Sequence, residues 1–357
     1  MNDRVQRLVS TYSQLGIDAL VITKRENLRY IAGFSGSTAA CVVLKDGSGV
    51  FVTDPRYEVQ AAEEVHDFDI IISLESALSE AAKWASQAQI ASLGIEAASM
   101  TAASRTKLSE LAPGIRIVET DQVIEKLRAI KDESELMLLR QAAKIADDAL
   151  ATVIRDVIKE GVTELDIAIE LEYQMRKLGG DKPGFDTIVA SGPRSAMAHG
   201  APTDRKVRPG DPIVIDFGCN YRGYTSDMTR TVFIGEPSEE IRRIYEVVLE
   251  AQLNACRNLR AGMTGREADA LARSVIESYG YGDRFGHGLG HGVGLEVHEF
   301  PRLSPRNDSP LELSAVVSVE PGIYLPQIGG VRIEDIVVLR PDGIENLTSS
   351  PKELICL

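Results

Sequence analysis

The chain has 357 residues, enough for two domains with a sizeable core, and its 44% apolar and 26% charged content is that of an ordinary globular protein. Asp and Glu outnumber Lys and Arg by 53 to 39, a formal net charge of −14, so the phosphate backbone of a nucleic acid is repelled on average and is not an expected partner. No apolar run is long enough to span a bilayer and the start, Met1-Asn-Asp-Arg, lacks the apolar stretch of an export signal; with four scattered cysteines (Cys41, Cys219, Cys256, Cys356), the expectation is a cytoplasmic protein with reduced thiols and no membrane partner.

Residues 1 to about 120 alternate helical patterns with short β-rich runs at 19–22, 39–44, 50–53, 68–72 and 115–119, which predicts an α/β domain. Long helical patterns follow. Asp132 with Glu135 three residues later forms a capping-box signature, opening a helix with Leu136, Leu139, Ala143, Ala146 and Leu150 on one side. The expected division is an N-terminal domain of residues 1–125 and a C-terminal domain of residues 126–357.

The second part contains a faint internal repeat. Gly161-Val-Thr163 and Gly262-Met-Thr264 each end one long helix and begin another, and each helix pair leads to an apolar strand closed by an acid, Asp216 in one case and Glu320 in the other. This predicts an α+β domain of two related halves about a pseudo-twofold axis; convergent helix propensity is the alternative.

Asp216 and Asp227 flank the turn candidate Asn220-Tyr-Arg-Gly223, and a hairpin centred between Tyr221 and Arg222 sets them directly opposite each other. Opposed like charges destabilise a sheet, so the pair is either a hydrated exposed face or is compensated by a cation. Glu334 lies in Val331-Arg-Ile-Glu-Asp-Ile, where alternation puts it on the face of Arg332, with Val331 and Ile333 on the other. Four carboxylates converging from two halves cannot all stay charged in a dry site, because desolvation costs several kcal/mol per ion before repulsion is counted. Two divalent cations balance them. An oxygen-dominated site with one imidazole suits Mn(II), Co(II), Fe(II) or Zn(II) more than Mg(II), and such a pair of ions performs hydrolysis by acidifying a water.

Three of the five histidines, His287, His291 and His298, fall in the run Gly286-His-Gly-Leu-Gly-His-Gly-Val-Gly-Leu-Glu-Val-His-Glu299. The i, i+4 pair His287 and His291 lacks the glutamate that follows the first histidine of a zinc-protease helix, and interior glycines cost a helix about 1 kcal/mol each, so an irregular strand or loop is expected. The glycines leave room for substrate or metal near the backbone. His199, in Ala-His-Gly, joins this set, whereas His66 reads as a surface residue.

The order Ala-His199-Gly, Asp216-Phe-Gly, Thr225-Ser-Asp227, His291-Gly-Val-Gly-Leu-Glu-Val-His298-Glu, Glu320-Pro-Gly and Arg332-Ile-Glu334-Asp resembles the pita-bread metallopeptidases, in particular the proline peptidases (Xaa-Pro dipeptidase, or prolidase, and aminopeptidase P). Phe34-Ser-Gly-Ser-Thr extends the likeness into a creatinase-like N-terminal domain. The resemblance implies a dinuclear centre held by Asp216, Asp227, His291, Glu320 and Glu334, with Asp227 and Glu334 bidentate or bridging, and with Mn(II) ahead of Co(II), Zn(II) or Fe(II). It further implies that His199, His287 and His298 surround the substrate, with His298 and His199 placed to hold the scissile carbonyl and the developing charge, and that Glu320 is both a ligand and the proton shuttle. Arg332 either meets a substrate carboxylate or braces the site. The implied activity is hydrolysis of peptides with proline at the second position by a homodimer, as a dipeptidase first and as an aminopeptidase P second; a non-catalytic peptide-binding protein of the same fold is the remote alternative.

Overall fold

The computed structural model describes residues 3–357 and divides into two units, one ending at Arg128 and the other spanning Ala129–Leu357. The division falls three residues beyond the expected boundary. The helix Val123–Arg128 buries Ile124, and Arg128 Nη1 donates to Asn27 Oδ1 at 2.7 Å, which ties the helix to the first unit.

The first unit is built on a six-stranded sheet in the order 69–72, 49–53, 39–44, 19–22, 92–96, 116–120. Its core is Val, Ile, Leu and Ala from the strands and from the helix Ala77–Gln87. Five strands lie where the β-rich runs predict them; the strand Ser92–Glu96 has no such signal. It is buried along its whole length, yet its residues are Ser-Leu-Gly-Ile-Glu. Each apparent misfit has a tertiary partner: Ser92 N and Oγ donate to Asp18 Oδ2 at 3.0 Å, and Glu96 Oε2 accepts from Thr23 N and Lys24 N at 2.7 and 2.9 Å. Polar residues survive in a core when they are paired in this way. His66 is exposed, and all four cysteines are free.

The second unit has two helix pairs and two larger sheets. The helices Glu133–Asp156 and Glu164–Lys177 share a core with the sheet 355–356, 228–233, 212–217, 188–191, and the helices Glu239–Asn258 and Gly265–Ser278 share one with the sheet 299–303, 290–292, 316–319, 335–340, 343–346. The Asp132/Glu135 capping box forms, and Leu136, Leu139, Ala143, Ala146 and Leu150 are buried. The Gly-Xaa-Thr signals behave alike in both halves. Thr163 and Thr264 cap their helices reciprocally with Asp166 and Glu267, and Gly161 and Gly262 take left-handed φ of 82° and 87°. No described helix is long and apolar enough to cross a membrane.

Two local expectations are corrected. Asp216 pairs with Thr229, not with Asp227, and Tyr221 pairs with Tyr224. The turn is made by Arg222 and Gly223, both left-handed at φ 48° and 85°, the mirror-type two-residue turn whose twist matches the flanking strands. The hairpin centre therefore moves by one residue. Second, Val331 to Ile336 is not one strand: the hairpin strand Gly329–Arg332 ends, and Asp335–Arg340 begins in the five-stranded sheet. Glu334 sits at the switch, its N–H donating to Thr229 O at 3.1 Å. The glycines beside His291 are required by the sheet as well, since a Cβ on Gly290 would lie 2.0 Å from Ser318 O and one on Gly292 1.9 Å from Phe300 O, and Gly288 and Gly290 also line a cavity.

Candidate metal centre

Asp216 comes from the strand Pro212–Phe217 and Asp227 from the residue before the strand Met228–Phe233, while His291 is the middle of the strand Gly290–Gly292. Glu320 follows the strand Val316–Val319 and Glu334 precedes Asp335–Arg340. Sheet edges and strand breaks thus deliver all five side chains to one cavity of about 350 Å³, which His199, His287, His298 and Arg332 also line. Ligand atoms of Asp227, His291 and Glu334 lie within 4.8 Å of one another, and all three residues are buried. His291 Nε2 is 3.7 Å from Asp227 Oδ2 and 3.2 Å from Glu320 Oε1.

The hydrogen bonds around these groups leave room for cations. His291 Nδ1 lies 3.2 Å from Gly292 O, which places a proton on Nδ1 and turns Nε2 toward the acids. Asp216 Oδ2 accepts from Arg332 Nη2 and Glu334 Oε2 from Thr229 Oγ1, both at 2.6 Å. Their other oxygens, Asp216 Oδ1 and Glu334 Oε1, are buried with no hydrogen-bond partner among the described residues. A buried carboxylate oxygen without a donor is costly. Two such oxygens beside a third buried acid and an imidazole fit divalent cations.

The electrostatics agree. Burial pushes the pKa of Asp227 well above the usual carboxylate range, and the charges of Glu334, Asp216 and Glu320 push it further; burial and the charges of Glu320 and Asp216 do the same to Glu334. Asp216 is raised by burial against the pull of Arg332. Glu320 differs: burial raises it too, but the hydrogen bond and charge of His291, with His287 and Arg332, outweigh burial and bring it to about 2.

These shifts set a pH dependence. Asp227 and Glu334 have folded pKa values above the unfolded ones, so in metal-stripped protein they contribute stability at and below the ordinary carboxylate range and lose it as pH rises through the folded values. Glu320 and Asp335, both near 2, act in the opposite sense, and only as pH falls below that range. His298 and His287, whose folded values are lowered, withdraw stability as pH falls through the unfolded imidazole value and so set the acidic limit of the maximum. Stripped protein is expected to melt at its highest temperature on the acidic side of neutrality, and added Mn(II) to raise Tm by more as pH rises, because it binds deprotonated ligands. Melting curves between about pH 5 and 8 decide this; a flat Tm in chelator contradicts it.

His298 packs edge-on against His291 with ring centroids 4.3 Å apart and opens to the cavity. Partial desolvation, then the charges of His291 and Arg302, lower its pKa to about 4, so it is neutral at pH 7 and offers one N–H. His287 is lowered by burial; its Nδ1 faces Gly288 O at 2.9 Å and its Nε2 faces the Tyr324 hydroxyl at 3.0 Å. Arg332 spends its donors within the protein, on Asp216, on Thr229 Oγ1 at 3.0 Å, on Tyr324 Oη at 2.8 Å and on Ala198 O at 3.2 Å. Of the two roles considered for it, bracing is the one this geometry favours.

Two polar residues and an apolar wall escape the sequence reading. Tyr324 links His287 to Arg332, and Arg302 lines the cavity with a guanidinium that makes no hydrogen bond or ion pair with any described residue. Phe185, Ile188 and Val297 form the wall. The one available signal for Arg302 was its place four residues after His298, in the strand Glu299–Leu303 that pairs with His291's strand.

A family model described as metallopeptidase family M24 matches residues 137–341, and one described as the creatinase/prolidase N-terminal domain matches residues 4–130. The Xaa-Pro dipeptidase of Pyrococcus horikoshii is 41% identical over 355 residues, 99% of each chain. Among solved structures, the Xaa-Pro dipeptidase from Bacillus anthracis has 43% identity and a TM-score of 0.97, with 99% of both chains covered. The X-Pro aminopeptidase from Thermotoga maritima MSB8 has 40% identity and a TM-score of 0.92, covering 99% of this chain and 100% of the other.

Proposed function

The chain belongs to the M24 metallopeptidases, with a creatinase/prolidase N-terminal domain ahead of the peptidase domain, and from that premise we propose that it hydrolyses the Xaa-Pro bond of dipeptides, with two Mn(II) ions as its resident metals. The observation that carries this reading is the acid and imidazole cluster opening into a cavity of about 350 Å³ whose one uncommitted cation is Arg302. That volume is at the lower end of ordinary small-molecule clefts, which suits a two-residue substrate. A dipeptide also carries a free carboxylate beside its proline, and a guanidinium without a protein partner is matched to it.

Asp216, Asp227, His291, Glu320 and Glu334 would hold the ions, which when bound would supply Lewis acidity and lower the pKa of water. Glu320, kept ionised, accepts a proton from the attacking water and passes it to the proline nitrogen as the C–N bond breaks, that nitrogen bearing no hydrogen of its own in the Xaa-Pro bond. Ser318 Oγ steadies that carboxylate at 3.2 Å. His298, neutral and cavity-facing, donates its N–H to the scissile carbonyl oxygen as charge develops there. His199 and His287 bound the substrate, Phe185, Ile188 and Val297 meet its apolar ring, and Arg332 with Tyr324 keeps Asp216 in place.

The test compares Xaa-Pro dipeptides with Xaa-Pro-Xaa tripeptides in Mn(II), Co(II) or Zn(II). Dipeptides are expected to be preferred. The likeness to the Thermotoga X-Pro aminopeptidase supports the second reading, and faster cleavage of tripeptides would replace the first with it. Arg302→Met is expected to raise KM for Ala-Pro by about 10–100-fold, the range of a charge-assisted hydrogen bond, and to affect Ala-Pro amide far less. Equal effects on both peptides would remove Arg302 from carboxylate binding.

We assign the protein to the cytosol on its four free thiols, and expect a second copy to bind. Leu165, Ile169 and Tyr173, exposed at helical spacing along one helix, form an apolar stripe suited to such an interface. Light scattering gives the mass.

A further inference from the structure

The helix Gly265–Ser278 packs against the strand Glu299–Leu303 and carries an acid and base pair that the chemistry above does not use. Arg273 Nε donates to Asp269 Oδ2 at 2.5 Å and Nη2 to Oδ1 at 3.0 Å, a two-pronged ion pair one helical turn apart. Pairs at this spacing usually decorate a solvated face and contribute little. Here Asp269 is 1% exposed. Both partners also reach the loop that follows: Arg273 Nη1 donates to Phe285 O at 3.1 Å and Nη2 to His287 O at 2.7 Å, while Asp269 Oδ1 accepts the Leu289 N–H at 2.9 Å. The guanidinium also stacks on the Phe285 ring, 4.3 Å from its centroid.

The loop needs such an anchor. It reads Phe285-Gly-His-Gly-Leu-Gly290, and every second residue lacks a side chain with which to pack, while the glycine backbone has the most freedom to lose. The contacts fall on the residues between the glycines, with His287 in the middle. Leu289 O in turn accepts the Glu320 N–H at 2.9 Å, so the anchored backbone is also the neighbour of the proton carrier. The other half of the unit has a parallel device around His199. Glu164, fully buried in the first turn of its helix, accepts from Ser191 N at 2.7 Å and Thr203 N at 3.1 Å and pairs with Arg194, bracketing the stretch that carries His199.

We infer that Asp269 and Arg273 are positioning residues that fix the loop backbone at 285, 287 and 289 and thereby aim the His287 imidazole at the Tyr324 hydroxyl and into the cavity. The inference rests on the reading of His287 as part of the substrate wall. An arginine is required because only its planar fork serves two carboxylate oxygens and two carbonyls together; a lysine ammonium keeps the charge beside Asp269 but not the geometry.

The decisive variant is Arg273→Lys, with Asp269→Asn, which keeps an acceptor for the Leu289 amide, as the second. Both are expected to fold and to bind metal as the parent does. In proton–carbon spectra of the imidazoles of metal-stripped protein, the His287 signal is expected to move or broaden while that of His66 stays in place. In Mn(II), kcat/KM for an Xaa-Pro dipeptide is expected to fall about tenfold, a loss of the kind that a small misplacement produces. In a His287→Ala background Arg273→Lys is expected to change it by less than about twofold, because the two residues act as a unit. A His287 signal unaltered in both variants, or the same loss with and without His287, overturns the inference. The spectra report position without turnover, so a displaced His287 signal in a protein whose parent cleaves no Xaa-Pro peptide upholds the positioning and discards the peptidase reading.

Discussion

Asp227→Asn is expected to remove turnover and about one bound ion per chain while leaving the fold intact, and to raise the Tm of metal-stripped protein. Asp227 lies in a trio with His291 and Glu334 whose ligand atoms are within 4.8 Å of one another, so an amide in its place leaves two ligands where three converged. Ligand loss of this kind disables the chemistry that the ions supply, a loss of at least about 10³-fold in kcat. The stability effect has the opposite sign. The carboxylate of Asp227 is opposed by burial and by the charges of Glu334, Asp216 and Glu320, so its removal relieves repulsion in the absence of a cation. Metal analysis by mass spectrometry, dipeptide turnover and melting in chelator read the three effects. Normal turnover with full metal would sink the assignment of the centre.

His298→Ala separates metal binding from catalysis. Its ring touches His291 edge-on yet opens to the cavity, and its low pKa leaves it neutral with a proton to share. Deleting one donor to a developing oxyanion typically costs about 10²–10³ in kcat, and that range is expected here with metal content unchanged. If metal were lost instead, the roles of His291 and His298 would have to be exchanged. If kcat stayed within about threefold of the parent, the carbonyl contact would belong to another group.

The candidate site was legible because its chemistry leaves local marks. A glycine-rich run holding three histidines has few apolar side chains to give a core, and an acid ending a buried apolar strand has to be paired or coordinated. Both marks pointed to residues that line one cavity. Arg302 left no comparable mark, since a single arginine on a strand most often faces solvent. Arg332 was conspicuous and could have bound substrate, but its nitrogens are committed to Asp216, Thr229, Tyr324 and Ala198, which only the folded arrangement reveals.

By itself the chain determined what is short-range: the Asp132/Glu135 and Thr163/Asp166 caps, the left-handed glycines at 161 and 262, and the choice of acids and imidazoles. Such features depend on interactions within a few residues, so composition and spacing carry them. The tertiary structure decided the hairpin register at Arg222 and Gly223, the change of sheet at Glu334, and the buried strand at 92–96 that reads as polar. Each of these is stabilised by partners distant in sequence, Asp181 for Arg222, Thr229 for Glu334, Asp18 for Ser92, Thr23 and Lys24 for Glu96. A contact between remote residues leaves no periodicity in either stretch, and so it becomes visible only when the chain has closed on itself.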